Sequence, residues 1–253
     1  IMLYPLAMAL WNGFKSQAEY DVSKWYPTLP LKIFNVINGF KLVADYIYNT
    51  ILVAVIGIGG SLFIASLASY AFVKTNFPGK TFFFYFVMIL MMVPGVMTLV
   101  PQSILYNTIG LYNNIFALII PLWTGGCVGS VFLLNMFMNS LPDEIFDAAH
   151  VDGANMFVCY FRIALPLTMS ILCTIVIMQI IGVWNDYLWP TIILKPEKYT
   201  ISAGLLLLFS SEYTADMPMM FATYLVSSLP IIILFIFSNK FYIQGLLGAA
   251  IKM

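Results

Sequence analysis

The sequence predicts an all-α fold, a polytopic membrane helical bundle of about six transmembrane helices with the first one truncated. Three observations predict it. Hydrophobic residues make up 62% of the 253 positions and charged residues only 9%, with a mean hydropathy of +0.94, where soluble chains carry about 25% charged residues. Stretches without any charge, 46–73 and 81–142, equal or exceed the roughly 20 apolar residues that a helix needs to cross the hydrocarbon core. Inside lipid an open strand leaves its backbone unsatisfied, so the crossings are helices.

Taken in order, 1–14 (IMLYPLAMALWNGF) has neither a basic leader nor an initiating Met and reads as the tail of a first span. The mixed segment 15–45, with Pro27, Pro30, Gly39 and scattered charges, reads as an extramembrane connection. A full span follows over 46–73, then the turn KTNFPGK at 74–80. The uncharged 81–142 would make about 90 Å of helix at 1.5 Å per residue, too long for one crossing. It is divided at the polar NTIGLYNN (107–114) into spans near 82–106 and 115–139. A charged loop, a span near 163–185, a polar connection over 185–217 and a last span near 218–239 complete a single transmembrane domain over 1–253.

Lysines and arginines alone do not orient the bundle. Lys74, Lys80, Arg162, Lys240 and Lys252 fall on one side, and Lys15, Lys24, Lys32, Lys41, Lys195 and Lys198 on the other. The compact 74–80 turn favours the first side as cytoplasmic. Packing signals are clearer. Gly57, Ser61, Ala65 and Ser69 recur every four residues and line one helix face with small side chains, as do Gly125 and Gly129, for packing within the bundle or against another subunit. Pro94, Gly95 and Pro101 predict a kinked or broken span.

Net charge is zero, so no basic surface points to nucleic acid. Cys127, Cys159 and Cys173 form no CxxC or Cys/His cluster and read as small hydrophobes, with no metal or cofactor implied. Gly79, Lys80 and Thr81 match the end of a phosphate-binding loop, but that loop needs glycine where Lys74 stands, so no nucleotide site is expected. The spans lack the ionisable groups of an embedded hydrolase or an ion-coupled secondary carrier.

The charge is gathered in one place. From Asp143 to Gly153 the chain places Asp143, Glu144, Asp147, Asp152 and its only histidine, His150. The stretch reads as helix, turn, helix: Ser140 capping the first helix, acids near its positive end, and Gly153 ending it in the left-handed conformation. A second amphipathic piece over 155–163 leads to Pro166.

DAAHVDGANMFVCYFRIALPL resembles the signature loop of binding-protein-dependent ABC importer permeases: Glu-Ala-Ala, three residues, Gly, nine residues, Ile, one residue, Leu-Pro. Asp147, Ala148, Ala149, Gly153, Ile163, Leu165 and Pro166 fit every spacing, with aspartate in place of glutamate at 147. SLASYAFVKTNFPGK, MMVPGVMTLVPQSILYNTIGLYNN, GVWNDYLWP, KYTISAGL and FYIQGLLGAAIKM resemble the smaller permease of the maltose-type, carbohydrate-uptake class. The resemblance implies a type I importer permease fold in a bacterial or archaeal cytoplasmic membrane, with loop 139–162 and the C-terminus cytoplasmic. It implies a non-catalytic subunit whose partners are an ATP-binding cassette ATPase dimer, a companion permease and an extracytoplasmic solute-binding protein. Asp147, Ala148, Ala149, Asp152, Gly153, Ile163, Leu165 and Pro166 become the docking loop. ATP binding on the separate subunit then switches the cavity between the two permeases from inward-facing to outward-facing.

Substrate residues are less sharply marked. Trp184, Asn185 and Tyr187, with Trp189, stand at the outer end of a span and suit sugar stacking and hydrogen bonding; an interfacial aromatic belt uses the same residues. Gln179 suits the pathway or an interhelical hydrogen bond. An oligosaccharide is the expected solute, with a polyol phosphate or other non-sugar solute as the alternative, and an ion-coupled carrier behind both.

Overall fold

The computed structural model of the chain describes residues 4–211 and 216–250, with Ser211 and 238–250 described by backbone alone. The cytoplasmic end expected at 251–253 therefore lies outside the described residues. Among the described residues the regular structure is entirely helical. Three helices among the described residues are long and apolar enough to cross a membrane: Ile33–Lys74, Phe116–Asn139 and Met217–Phe237. Two bent pairs, Lys80–Leu90 with Gly95–Thr108 and Met156–Leu167 with Met169–Asn185, bring the number to five if each is one span. The short helix Tyr4–Asn12 precedes them.

The chain divides into two compact units, one drawn from Ile1–Leu52, Asn113–Ile115 and Gly182–Ile236, the other from Val53–Tyr112, Phe116–Ile181 and Phe237–Met253.

In the first unit, helix Ile33–Val53 begins inside the segment that the sequence marks as an extramembrane connection. The prolines lie ahead of the helix, Lys41 and Asp45 lie four residues apart on its exposed face, and Val43 between them is fully buried. Val43, Ile201 and Val226 form the centre, with Tyr46, Trp184 and Leu205 packed around them. Gly204 is required here, because a Cβ would drive into the Tyr46 ring. Thr50 Oγ1 accepts the Ile201 N–H at 2.8 Å, satisfying one of the free donors at the start of helix Ile201–Ser211. The loop ahead of these elements is held by Lys15, a fully buried side chain whose Nζ donates to the Ser23 and Tyr26 carbonyls at 2.7 Å each. Burial lowers its pKa, against the attraction of Tyr26 and Glu19.

In the second unit, helix Gly59–Lys74 packs along helix Val128–Asn139, and Ser61, Ala65 and Ser69 of the small-residue stripe are fully buried. Gly57 continues the stripe, since a Cβ there would meet Leu122. The pair Gly125 and Gly129 behaves differently. A Cβ at Gly129 meets nothing within 4 Å, whereas one at Gly126 would lie 2.9 Å from Leu122 Cα, so the close approach is at Gly126. The span broken at Pro94 bends by 93°, far beyond a kink. Pro94 takes an extended ψ of 124° and helix Gly95–Thr108 restarts after it.

Candidate functional site

The charged stretch folds as helix Asp143–Val151, a turn, and helix Met156–Cys159, followed by a π-helical turn over Tyr160–Ala164. Ser140 is not its cap. That residue closes the preceding helix, its hydroxyl donating to the Phe137 carbonyl at 2.7 Å, and Pro142 stands at the N-cap instead. Asp143 and Glu144 occupy the first turn, where carboxylates meet the positive end of the helix dipole. At the other end Gly153 takes φ +82°, the left-handed conformation that costs glycine nothing, and the Ala154 N–H closes onto the Ala149 carbonyl at 2.9 Å. Asn155 then caps the next helix, its side chain accepting the Val158 N–H at 2.9 Å.

This geometry gives the segment two faces. Phe146 is buried with Tyr70, Met138, Cys159 and Tyr160, and Ala149 packs against the same cluster. Tyr160 Oη and Ser66 Oγ share a buried hydrogen bond of 2.6 Å that ties the segment to helix Gly59–Lys74. On the opposite face Asp147, Ala148, Asp152 and Gly153 are exposed. Apolar side chains stand among these acids, with Val151 87% and Phe157 71% exposed. Bare apolar groups rimmed by charge at the end of a rigidly packed turn form a surface suited to a partner. Asp147, Ala148, Asp152 and Gly153 are thus brought together on it. Ile163 and Leu165 are partly buried and pack inward, and Pro166 is exposed farther along the chain.

A second polar feature lies deep among apolar residues. Gln179 Nε2 donates to Ser61 Oγ at 3.0 Å and to Ser130 Oγ at 2.8 Å, joining three helices. Its Oε1 is buried without a hydrogen-bond partner. Turning the carboxamide over would let both serines donate and leave the nitrogen unpaired instead, so one end is unused either way. An unpaired buried polar atom costs about 1–3 kcal/mol, so this carboxamide is under-satisfied in the packing. Gln179 and Ser130 line a cavity of about 360 Å³ whose other walls include Met91, Gly129, Phe132 and Met178.

The aromatic group belongs to the other unit. Trp184 is partly buried against Val43 and Ile201, Trp189 is buried, and Asn185 and Tyr187 are exposed. Trp189 is the enclosed member, Trp184 is half-buried in the packing, and Asn185 and Tyr187 are the more accessible pair. Sequence reasoning missed Ser66, Ser130, Phe146 and Tyr160. Ser61 was visible as a member of the small-residue stripe, but its role as a hydrogen-bond acceptor needs Gln179 beside it.

Residues 57–248 match the family described as "Binding-protein-dependent transport system inner membrane component". The chain is 32% identical to the inner membrane ABC transporter permease protein YcjP of Escherichia coli (strain K12), covering 100% of this chain and 92% of that protein. It is 31% identical to the arabinooligosaccharides transport system permease protein AraQ of Halalkalibacterium halodurans, covering 100% and 92% respectively. A chain in the crystal structure of a bacterial ABC transporter involved in the import of the acidic polysaccharide alginate has the same fold, with a TM-score of 0.81 at 22% identity over 95% of this chain and 91% of that one. The exposed helix-turn-helix, the all-helical apolar bundle and these matches have one conclusion: the chain is a multi-pass membrane protein that belongs to the binding-protein-dependent ABC transporter permeases.

Proposed function

We propose that this permease is one membrane-spanning half of an ATP-driven importer of oligosaccharides. The observation that carries the reading is the exposed acidic and apolar face of the turn formed by Asp147, Ala148, Val151, Asp152 and Gly153. It docks a separate ATP-hydrolysing subunit, and this chain performs no catalysis itself. In this reading 1–253 is a single permease domain, 1–14 is part of its first span, and loop 139–162 faces the cytoplasm with the C-terminus. A companion permease supplies the other half of the pathway, and an extracytoplasmic solute-binding protein delivers the sugar; the family's description as binding-protein-dependent supports the second partner.

Carbohydrate is supported by the relative named for arabinooligosaccharide transport and by the cavity at Gln179. Gln179 and Ser130 bring polar side chains to the cavity wall for a sugar hydroxyl, and Phe132 offers an aromatic wall to a sugar ring. Asn185, the last residue of helix Met169–Asn185, and Tyr187 just beyond it meet the solute on the outer side.

The test is ATP-driven uptake of radiolabelled arabino-, galacto- and malto-oligosaccharides by the reconstituted complex. Gly129 lines the cavity and a Cβ there meets nothing within 4 Å, so Gly129→Leu projects a side chain into the cavity. At least one sugar should accumulate with the native chain, and Gly129→Leu should abolish its uptake while the complex still assembles. Absence of uptake for every sugar, with a polyol phosphate transported instead, would overturn the carbohydrate reading.

A further inference from the structure

The turn between helices Asp143–Val151 and Met156–Cys159, the coupling turn of the importer reading, needs a grip on the spans if its motion is to reach the pathway, and that grip is found at Lys74, the last residue of helix Gly59–Lys74. Its Nζ lies 2.6 Å from Asp143 Oδ1, donates to the Leu141 carbonyl at 3.1 Å, and sits 4.5 Å from the centre of the Phe146 ring. One ammonium thus holds the start of helix Asp143–Val151 by a carboxylate, a backbone carbonyl and an aromatic face. Its own side chain is 7% exposed, whereas that of Asp143 is 82% exposed.

This asymmetry decides which partner matters. An ion pair with an exposed carboxylate is screened by solvent and contributes little. The contacts to Leu141 and Phe146 are shielded, so the grip belongs to the lysine more than to the ion pair. The rest of helix Gly59–Lys74 is bonded along its length. Ser69 Oγ donates to the Val131 carbonyl at 3.0 Å, Ser66 meets Tyr160, and Ser61 accepts from Gln179, about 20 Å from Lys74 along the axis. One helix therefore carries the turn at one end and the polar cluster of the cavity at the other.

We propose that Lys74 is the positioning residue that fixes the coupling turn to helix Gly59–Lys74, so that displacement of the turn by the ATPase becomes displacement of Ser61 and Gln179 at the cavity. The inference rests on the importer reading above and names a residue outside the signature loop as its transmission point. No element between the two ends needs to bend, because the helix is continuous over Gly59–Lys74.

The experiment compares Lys74→Met, Lys74→Arg and Asp143→Asn in the reconstituted importer, scoring ATPase co-purification, ATP hydrolysis and sugar uptake. Lys74→Met should co-purify with the ATPase and hydrolyse ATP, while uptake per ATP falls by about tenfold or more. Lys74→Arg, which keeps the cation and its donors, should restore uptake, and Asp143→Asn should change it by less than about threefold. Should Lys74→Met not fold, Lys74→Gln, which retains a donor for the Leu141 carbonyl, takes its place with the same expected loss. Unchanged uptake per ATP in the charge-free variant overturns the proposal, as does loss of ATPase co-purification, which would make Lys74 a docking residue. Failure of the native chain to capture an ATPase falls on the importer reading instead.

Discussion

Tyr160 Oη and Ser66 Oγ lie 2.6 Å apart in a fully enclosed contact between residues 94 positions apart in the chain. Tyr160 opens the π-helical turn after the coupling segment, and Ser66 sits midway along helix Gly59–Lys74, so the bond fixes the level at which the segment meets the bundle. Tyr160→Phe should therefore lower the stability of the purified permease by about 0.5–1.5 kcal/mol. Ser66→Ala should cost a similar amount, and the double variant should cost less than the sum of the two. Strict additivity in unfolding of the detergent-purified protein would show that the two hydroxyls do not act as a pair.

Adjacent glycines offer a sharper contrast. A Cβ at Gly60 would run into the Trp123 indole, whose Nε1 donates to the Ile56 carbonyl at 3.2 Å, while a Cβ at Gly59 would meet nothing. Gly60→Ala should destabilise by about 1–3 kcal/mol through overpacking. Gly59→Ala should be neutral or stabilise by up to about 1 kcal/mol, as alanine does in a helix. Equal melting temperatures for the two variants would contradict the packing described for this helix.

At the coupling turn the constraint is conformational. Gly153 has φ +82° and open space around it, so Gly153→Ala is strained without being crowded, at about 1–2 kcal/mol. Gly153→Asn, a residue that tolerates this conformation, should retain ATPase capture better than Gly153→Ala. Identical capture by all three chains would remove the turn's geometry from the docking surface.

A pH dependence is expected in the loop after the first helix. Ser16 and Glu19 form a reciprocal cap on helix Gln17–Val22, with the Ser16 N–H donating to Glu19 Oε2 at 2.7 Å. The Ser16 backbone and side-chain hydrogen bonds hold the Glu19 carboxyl below its ordinary value of 4.5. Because the folded pKa is depressed, the contribution is complete above that ordinary value and fades as pH falls through the folded one. Amide exchange at Ser16, corrected for intrinsic rates, should lose protection on acidification through this window, and Glu19→Gln should remove the dependence. Protection that falls with rising pH would contradict the sign.

What could be read in the sequence follows from the range over which each feature is determined. Gly153 and the break at Pro94 are set by local backbone chemistry, and both appear where their residues predict them. The acids of the coupling turn are local as well, but their capping was misassigned to Ser140 because Pro142 starts the helix without a side-chain cap. The Ser16-x-x-Glu19 pattern is a capping box legible in the sequence. Lys74 with Asp143, and Gln179 with Ser61 and Ser130, depend on packing between distant helices, and no spacing along the chain reveals them. Helix Ile33–Val53 was obscured for another reason: two charges on one exposed face look like a loop when charges and the prolines ahead of them mark the boundaries.

Docking of an ATPase by the turn at Asp147 and Gly153 is tested most directly by a pull-down of the detergent-solubilised permease, native and with Asp147→Lys combined with Gly153→Pro. Co-purifying proteins are identified by mass spectrometry. The docking assignment predicts an ATP-binding cassette subunit with the native chain and its loss with the altered one, both permeases remaining folded in the membrane. Folded native permease that comes down alone, under conditions that keep other such importers intact, would contradict it.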